Sequence, residues 1–152
     1  MDDLSGVWLY RSFLNTDRPV GGDRDSALAL IFAEGSLSLH APEPGELVGG
    51  LAFGEEFRMH LRGSIAQDSS FALAGYGMEG TATDGWRYDY RGILAHRWRD
   101  AVDQVDALVG TVLRSAAHGP GAPAGVTASF IAVRDARSPA AREGVRVPNF
   151  FA

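Results

Sequence analysis

Extended runs in which Val, Ile, Leu, Phe, Tyr and Thr dominate recur along the chain between clusters of Gly, Pro, Asp and Ser, the pattern of strands joined by turns. Eight runs stand out, at 6–15, 27–41, 47–54, 56–67, 70–82, 85–98, 106–117 and 125–135. Only "RDAVDQVDALV" comes near a helical period, and its continuation "ALVGTVLRS" alternates, which favours strand. Eight strands with short connections would leave two bare edges in an open sheet, and closing the sheet removes both. The expectation is an all-β chain: an eight-stranded antiparallel up-and-down β-barrel over residues 1–135, followed by a tail at 136–152. Such a barrel has room inside for side chains and one small ligand.

Alternation also says which face looks inward. In "FRMHLRGS" the side chains divide into Phe57, Met59 and Leu61 against Arg58, His60 and Arg62. In "GWRYDYRG" they divide into Trp86, Tyr88 and Tyr90 against Arg87, Asp89 and Arg91. Burying a row of cations costs several kcal/mol per ion, so the apolar and aromatic sets belong inside. Parity carries the inner face of the second stretch on to Leu94, His96 and Trp98, with Gly92 the place where a bulge would flip it. On the first strand Trp8, Tyr10 and Ser12 share one face and Leu9 and Phe13 the other, so that if Trp8 points inward Leu9 and Phe13 look outward.

Composition narrows the chemistry. A chain of 152 residues, 45% hydrophobic and 22% charged, is one ordinary globular domain rather than a disordered or collagenous one. Cys is absent, which excludes disulfides, thiolate metal sites and a Cys nucleophile. All basic residues are Arg, which removes Schiff-base chemistry and fits a GC-rich bacterial genome. A net charge of -5 without a basic run argues against nucleic acid as a partner. No run is long and apolar enough to suggest a membrane span. The start "MDDLSGVW" has no basic stretch followed by an apolar one, so the expected location is cytoplasmic unless a leader was removed beforehand.

The four histidines, His40, His60, His96 and His118, show no metal-ligand spacing, so no metal is expected. No motif calls for a cofactor; a haem-holding barrel would have to use His96 or His118. "GYGMEG" lies within an alternating run rather than opening a helix and fails the context of a dinucleotide fingerprint. No "GxSxG" turn supports a Ser-based triad. The polar loop "TDRPVGGDRDS" (16–26) is longer than a hairpin needs and could cover a barrel mouth or simply be surface. Phe150 and Phe151 in the tail suggest docking, on the barrel or on a second subunit, against the alternative of a frayed terminus.

Gly6 and Trp8 in "LSGVW", opening the first strand, resemble the Gly-x-Trp signature of the calycin superfamily, which holds lipocalins, fatty-acid-binding proteins and avidins. Arg134 in "FIAVRD" strengthens the likeness, because many calycins pack an Arg from the last strand across that Trp. The resemblance implies a structural role for Trp8 and Arg134, closing the barrel floor with a cation–π contact of about 0.5–2 kcal/mol. The helix-poor layout is nearer to the avidin branch, though without the tryptophan set with which avidins hold biotin.

The expected pocket is lined by Tyr10, Ser12, Phe57, Met59, Trp86, Tyr88 and Tyr90, mostly apolar walls with a few oriented polar groups. Its occupant would be a small apolar or aromatic molecule. A second reading is a cofactor-independent isomerase or cyclase using Tyr88 and His96 to move a proton. A third is a filled barrel acting as an interaction module through Leu9, Phe13 and the "VPNFFA" tail, and outward apolar residues on the first strand favour a homodimer.

Overall fold

A computed structural model describes residues 3–137 of the chain. Eight strands follow in order: β1 (Gly6–Phe13), β2 (Ile31–His40), β3 (Glu46–Ala52), β4 (Arg58–Ile65), β5 (Ser70–Gly77), β6 (Arg87–Leu94), β7 (Ala107–Ala116) and β8 (Thr127–Arg134). Each pairs antiparallel with the next, and β1 pairs with β8, so the sheet closes in simple up-and-down order. The expected architecture is the observed one. The tail beyond 137, with Phe150 and Phe151, lies outside the described residues.

Two departures are local. One is α1 (Arg24–Leu28), five residues between β1 and β2 where the pattern predicts loop running into strand, while the 99–109 stretch, read as strand, enters one only at Ala107. Asp23 starts the helix by accepting from the backbone N–H groups of Asp25 and Ser26, and no residue of α1 is buried. β6 ends at Leu94, so the inward continuation expected through His96 and Trp98 does not occur. Gln104 gathers the following loop, accepting from the Trp98 N–H at 2.9 Å and donating to the His96 carbonyl at 2.7 Å. Both rings are exposed outside the barrel.

Strand alternation is otherwise kept. Met59 and Leu61 of β4 and Tyr88 and Tyr90 of β6 are buried, while Arg62 and Arg91 are exposed. The outer face of β6 balances its charge locally. Arg87 pairs with Asp89 at 3.0 Å, and Ser115 donates to the other Asp89 oxygen at 2.6 Å. Burial pushes the Asp89 carboxyl up, but the Ser115 and Arg87 hydrogen bonds outweigh it and hold the carboxyl below its ordinary value.

One end of the barrel is sealed. Trp8 is fully buried, its Nε1 donates to the Leu4 carbonyl at 3.1 Å, and it sits opposite Arg134 in the β1/β8 register. The Arg134 guanidinium lies 4.2 Å from the indole centre, donates to the carbonyls of Ser5 (2.7 Å) and Asp3 (3.0 Å), and pairs with Asp106 at 3.5 Å. Gly6 makes this possible: its φ is +134°, and an added Cβ would stand 2.9 Å from an Arg134 nitrogen. Leu39, Leu47 and Leu108 complete the buried floor.

Aromatic rings fill the middle. Tyr10 stacks on Phe130 at 5.6 Å, Tyr90 meets both edge-on, and Phe71 approaches Phe130 at 6.4 Å. Gly92 is inward here, and a Cβ on it would press into the Phe71 and Phe130 rings. A helix long and apolar enough to cross a membrane is absent among the described residues.

Candidate functional site

Above the aromatic plug, the end of the barrel away from Trp8 opens into a cavity of about 350 Å³. Tyr10, Tyr88 and Tyr90 form its base, Phe32, Phe53, Phe57 and Trp86 its rim, and Arg114, His118 and Glu34 its polar or charged lining. A broader depression of about 560 Å³ lies on the outer wall, among Ser64, Ala72, Arg91, Ile93, Val109 and Thr111. That trough is shallow and open. Convergent polar groups gather at the mouth instead.

The β5/β6 turn sets the rim. Thr83, fully buried, donates to the Arg58 carbonyl at 2.6 Å and accepts from the Met78 N–H, tying the turn to β4. The Trp86 N–H then donates to the Thr83 carbonyl at 3.0 Å, which fixes the entry to β6. The indole stacks on His118 at 4.1 Å and on Phe57 at 5.8 Å. Phe57 is 39% exposed, an apolar ring left at the entrance rather than packed away.

Strand register builds the polar part. Pairing runs unbroken from Leu94 opposite Leu108 to Tyr88 opposite Arg114, which sets Arg114 beside Tyr88 at the mouth, and just beyond it Arg87 faces Ala116, so Ser115 is an extra residue on β7. The Tyr88 hydroxyl accepts from Arg114 Nε at 2.9 Å and lies 2.6 Å from His118 Nε2. His118 itself is placed by the β7/β8 turn, its N–H donating to the Ala122 carbonyl at 3.0 Å. Burial first, then the Arg114 charge, holds the His118 imidazole below its ordinary pKa of 6.5. With its proton on Nδ1, the neutral ring takes a hydrogen bond from the Tyr88 hydroxyl at Nε2, and in that tautomer the phenol spans a cation and a base. Arg114 also donates to the Pro123 carbonyl at 3.2 Å and lies over the Phe32 ring at 5.0 Å.

The other expected site residues fall into two groups. Tyr10, Phe57, Trp86, Tyr88 and Tyr90 line the cavity, whereas Met59 and Ser12 are fully buried in its walls, Ser12 donating to the Ala33 carbonyl at 3.4 Å. Desolvation dominates at Tyr10, pushing its phenol well above the ordinary value against a hydrogen bond from Ser12, and burial does the same to Tyr90. Both remain neutral phenols. His96 stands apart from the cavity on the exposed loop after β6, so the histidine beside Tyr88 is His118. Leu9 and Phe13, expected to face outward, are half-buried on the outer wall.

Arg114, Phe32 and Phe53 were outside the set expected from sequence. The inward phase of β7, running through Leu108, Gly110, Val112 and Arg114, is the signal that marks Arg114. Groups of His, Asp or Glu able to hold a metal ion are absent among the described residues. A scan against protein-family models finds no match, and a search of curated proteins finds none either.

Proposed function

We propose that the chain is a calycin-like binding barrel that takes a small apolar or aromatic molecule into its open mouth. The observation that carries this reading is the cavity of about 350 Å³, walled by aromatic rings around the Tyr88, Arg114 and His118 cluster. Its volume falls at the lower end of the ~300–1,000 Å³ usual for small-molecule sites. The hydrogen-bonded Trp8 and Arg134 floor supports the calycin likeness, since it reproduces the role the resemblance assigns to that pair.

Native mass spectrometry of freshly purified protein, with tryptophan emission followed during titration by bicyclic aromatic probes, tests the reading. A retained small molecule, or a saturable change in emission that Trp86→Leu abolishes, is the expected result. Neither a retained molecule nor a saturable change with any probe would overturn it.

A second reading, a cofactor-independent isomerase or cyclase, rests on the 2.6 Å approach of Tyr88 to His118. His118 would take the phenol proton while Arg114 steadies the oxygen, giving Tyr88 the capacity to move a proton in the cavity. Tyr88→Phe separates the readings once a substrate is in hand: lost turnover with retained binding supports catalysis, and unchanged turnover removes Tyr88 from the chemistry.

A further inference from the structure

We propose that the ligand of the mouth carries a carboxylate, received by the Arg114 guanidinium while the ligand's apolar body lies against Trp86, Phe57 and Phe32. The inference rests on the binding reading above and specifies the ligand's chemical class. It begins from how this chain treats its cations. Arg11, Arg62, Arg87, Arg97, Arg134 and Arg137 each pair with a carboxylate of the protein, and Arg18, Arg24, Arg91 and Arg99 are exposed to water. Arg114 has no such pair among the described residues, although it is partly buried within an aromatic mouth.

Its partners are neutral. Nε donates to the Tyr88 hydroxyl and one terminal nitrogen to the Pro123 carbonyl, while Phe32 lies beneath the plane. A guanidinium has five N–H donors, so these bonds fix its orientation and leave donors over. The group is thus desolvated in part, held still, and carries a charge that no anion among the described residues cancels. The nearest acid of the lining, Glu34, is drawn to the outer face, where it pairs with Arg11 at 3.8 Å.

A planar monoanion fits this arrangement better than a dianion. Among the described residues Arg114 is the one Arg in the cavity lining, and the chain contains no Lys to share a second charge. Carboxylate geometry matches the edge of a single guanidinium. With a net charge of -5, the chain as a whole repels anions, so any preference for an acid has to arise locally at Arg114.

The test compares 1-naphthoate with 1-naphthalenemethanol by tryptophan emission and calorimetry, on the wild-type chain and on Arg114→Gln. The acid is expected to bind about tenfold or more tightly than the alcohol, the scale of one charge-assisted hydrogen bond. Arg114→Gln should erase that preference, weakening the acid about tenfold more than the alcohol. Equal binding of the two probes to wild type overturns the inference and leaves the pocket reading standing, as does an acid preference that survives in Arg114→Gln. Binding of neither probe counts against the pocket reading itself. Should Arg114→Gln not fold, wild type with 1-naphthoate against its methyl ester decides the question: a weaker ester supports the inference, and an ester as tight as the acid overturns it.

Discussion

The two ends of the barrel use the same pair of residue types to opposite effect. At the floor, Trp8 is fully buried, its N–H is bonded, and Arg134 over its face has two backbone carbonyls and the Asp106 carboxylate as partners. At the mouth, Trp86 is half-buried and stacks on a histidine, and the acceptors that Arg114 finds among the described residues are neutral. Where indole and guanidinium are completed by the protein they hold the fold. Where they are left incomplete, they are available to something else.

The largest effect expected from this contrast is on stability. Trp8→Ala should cost about 3–5 kcal/mol, as large aromatic deletions in cores do, against about 1–2 kcal/mol for Trp86→Ala. Chemical denaturation measures both, and equal losses would erase the distinction between the ends. Next comes the arginine pair. Arg134→Met should cost about 2–3 kcal/mol, because it strips charged hydrogen bonds and leaves partly buried Asp106 without its inner partner, whereas Arg114→Met should stay within about 1 kcal/mol. A larger loss at Arg114 would make the mouth a second structural clasp.

Tyr88→Phe is expected to lower stability by about 1 kcal/mol, since one hydroxyl bridges Arg114 and His118. The smallest effect is that of pH. His118 is held below its ordinary 6.5 in the folded chain, so the unfolded chain takes up a proton that the folded one refuses. Its contribution is full above 6.5 and is lost as the pH falls through the folded value. The melting midpoint should therefore drop between neutral pH and about pH 5, and His118→Gln should shrink that drop. Asp23 and Asp68, lowered from 3.8 by Ser26 and Ser70, act at still lower pH and leave this window clear. An identical drop in wild type and His118→Gln would place the pH sensitivity away from the mouth.

Sequence patterning reached the floor further than the mouth, for a physical reason. Trp8, Tyr10, Met59, Leu61, Tyr88 and Tyr90 occupy strand interiors, where period-two alternation and the cost of burying arginine decide the facing. Gly6, Trp8 and Arg134 form a local signature whose geometry follows from pairing the first strand with the last. The mouth depends on a turn and on which strands are neighbours. His118 comes to Tyr88 through the turn ending at Ala122, which alternation does not encode, and Arg114, whose inward facing alternation does give, meets Tyr88 only through the β6/β7 register. His96 illustrates the same limit from the other side: parity sends it inward, but β6 stops at Leu94 and the Gln104 bonds carry the loop away.

The aromatic plug of Tyr10, Tyr90 and Phe130 has a kinetic consequence. Because it stops the cavity short of the barrel's centre, the molecule is a shallow cup rather than a tube. A guest resting on the plug would come and go without any strand separating from its neighbour. Entry would then be set by diffusion and orientation, and the strength of holding would be written almost wholly in the rate of departure.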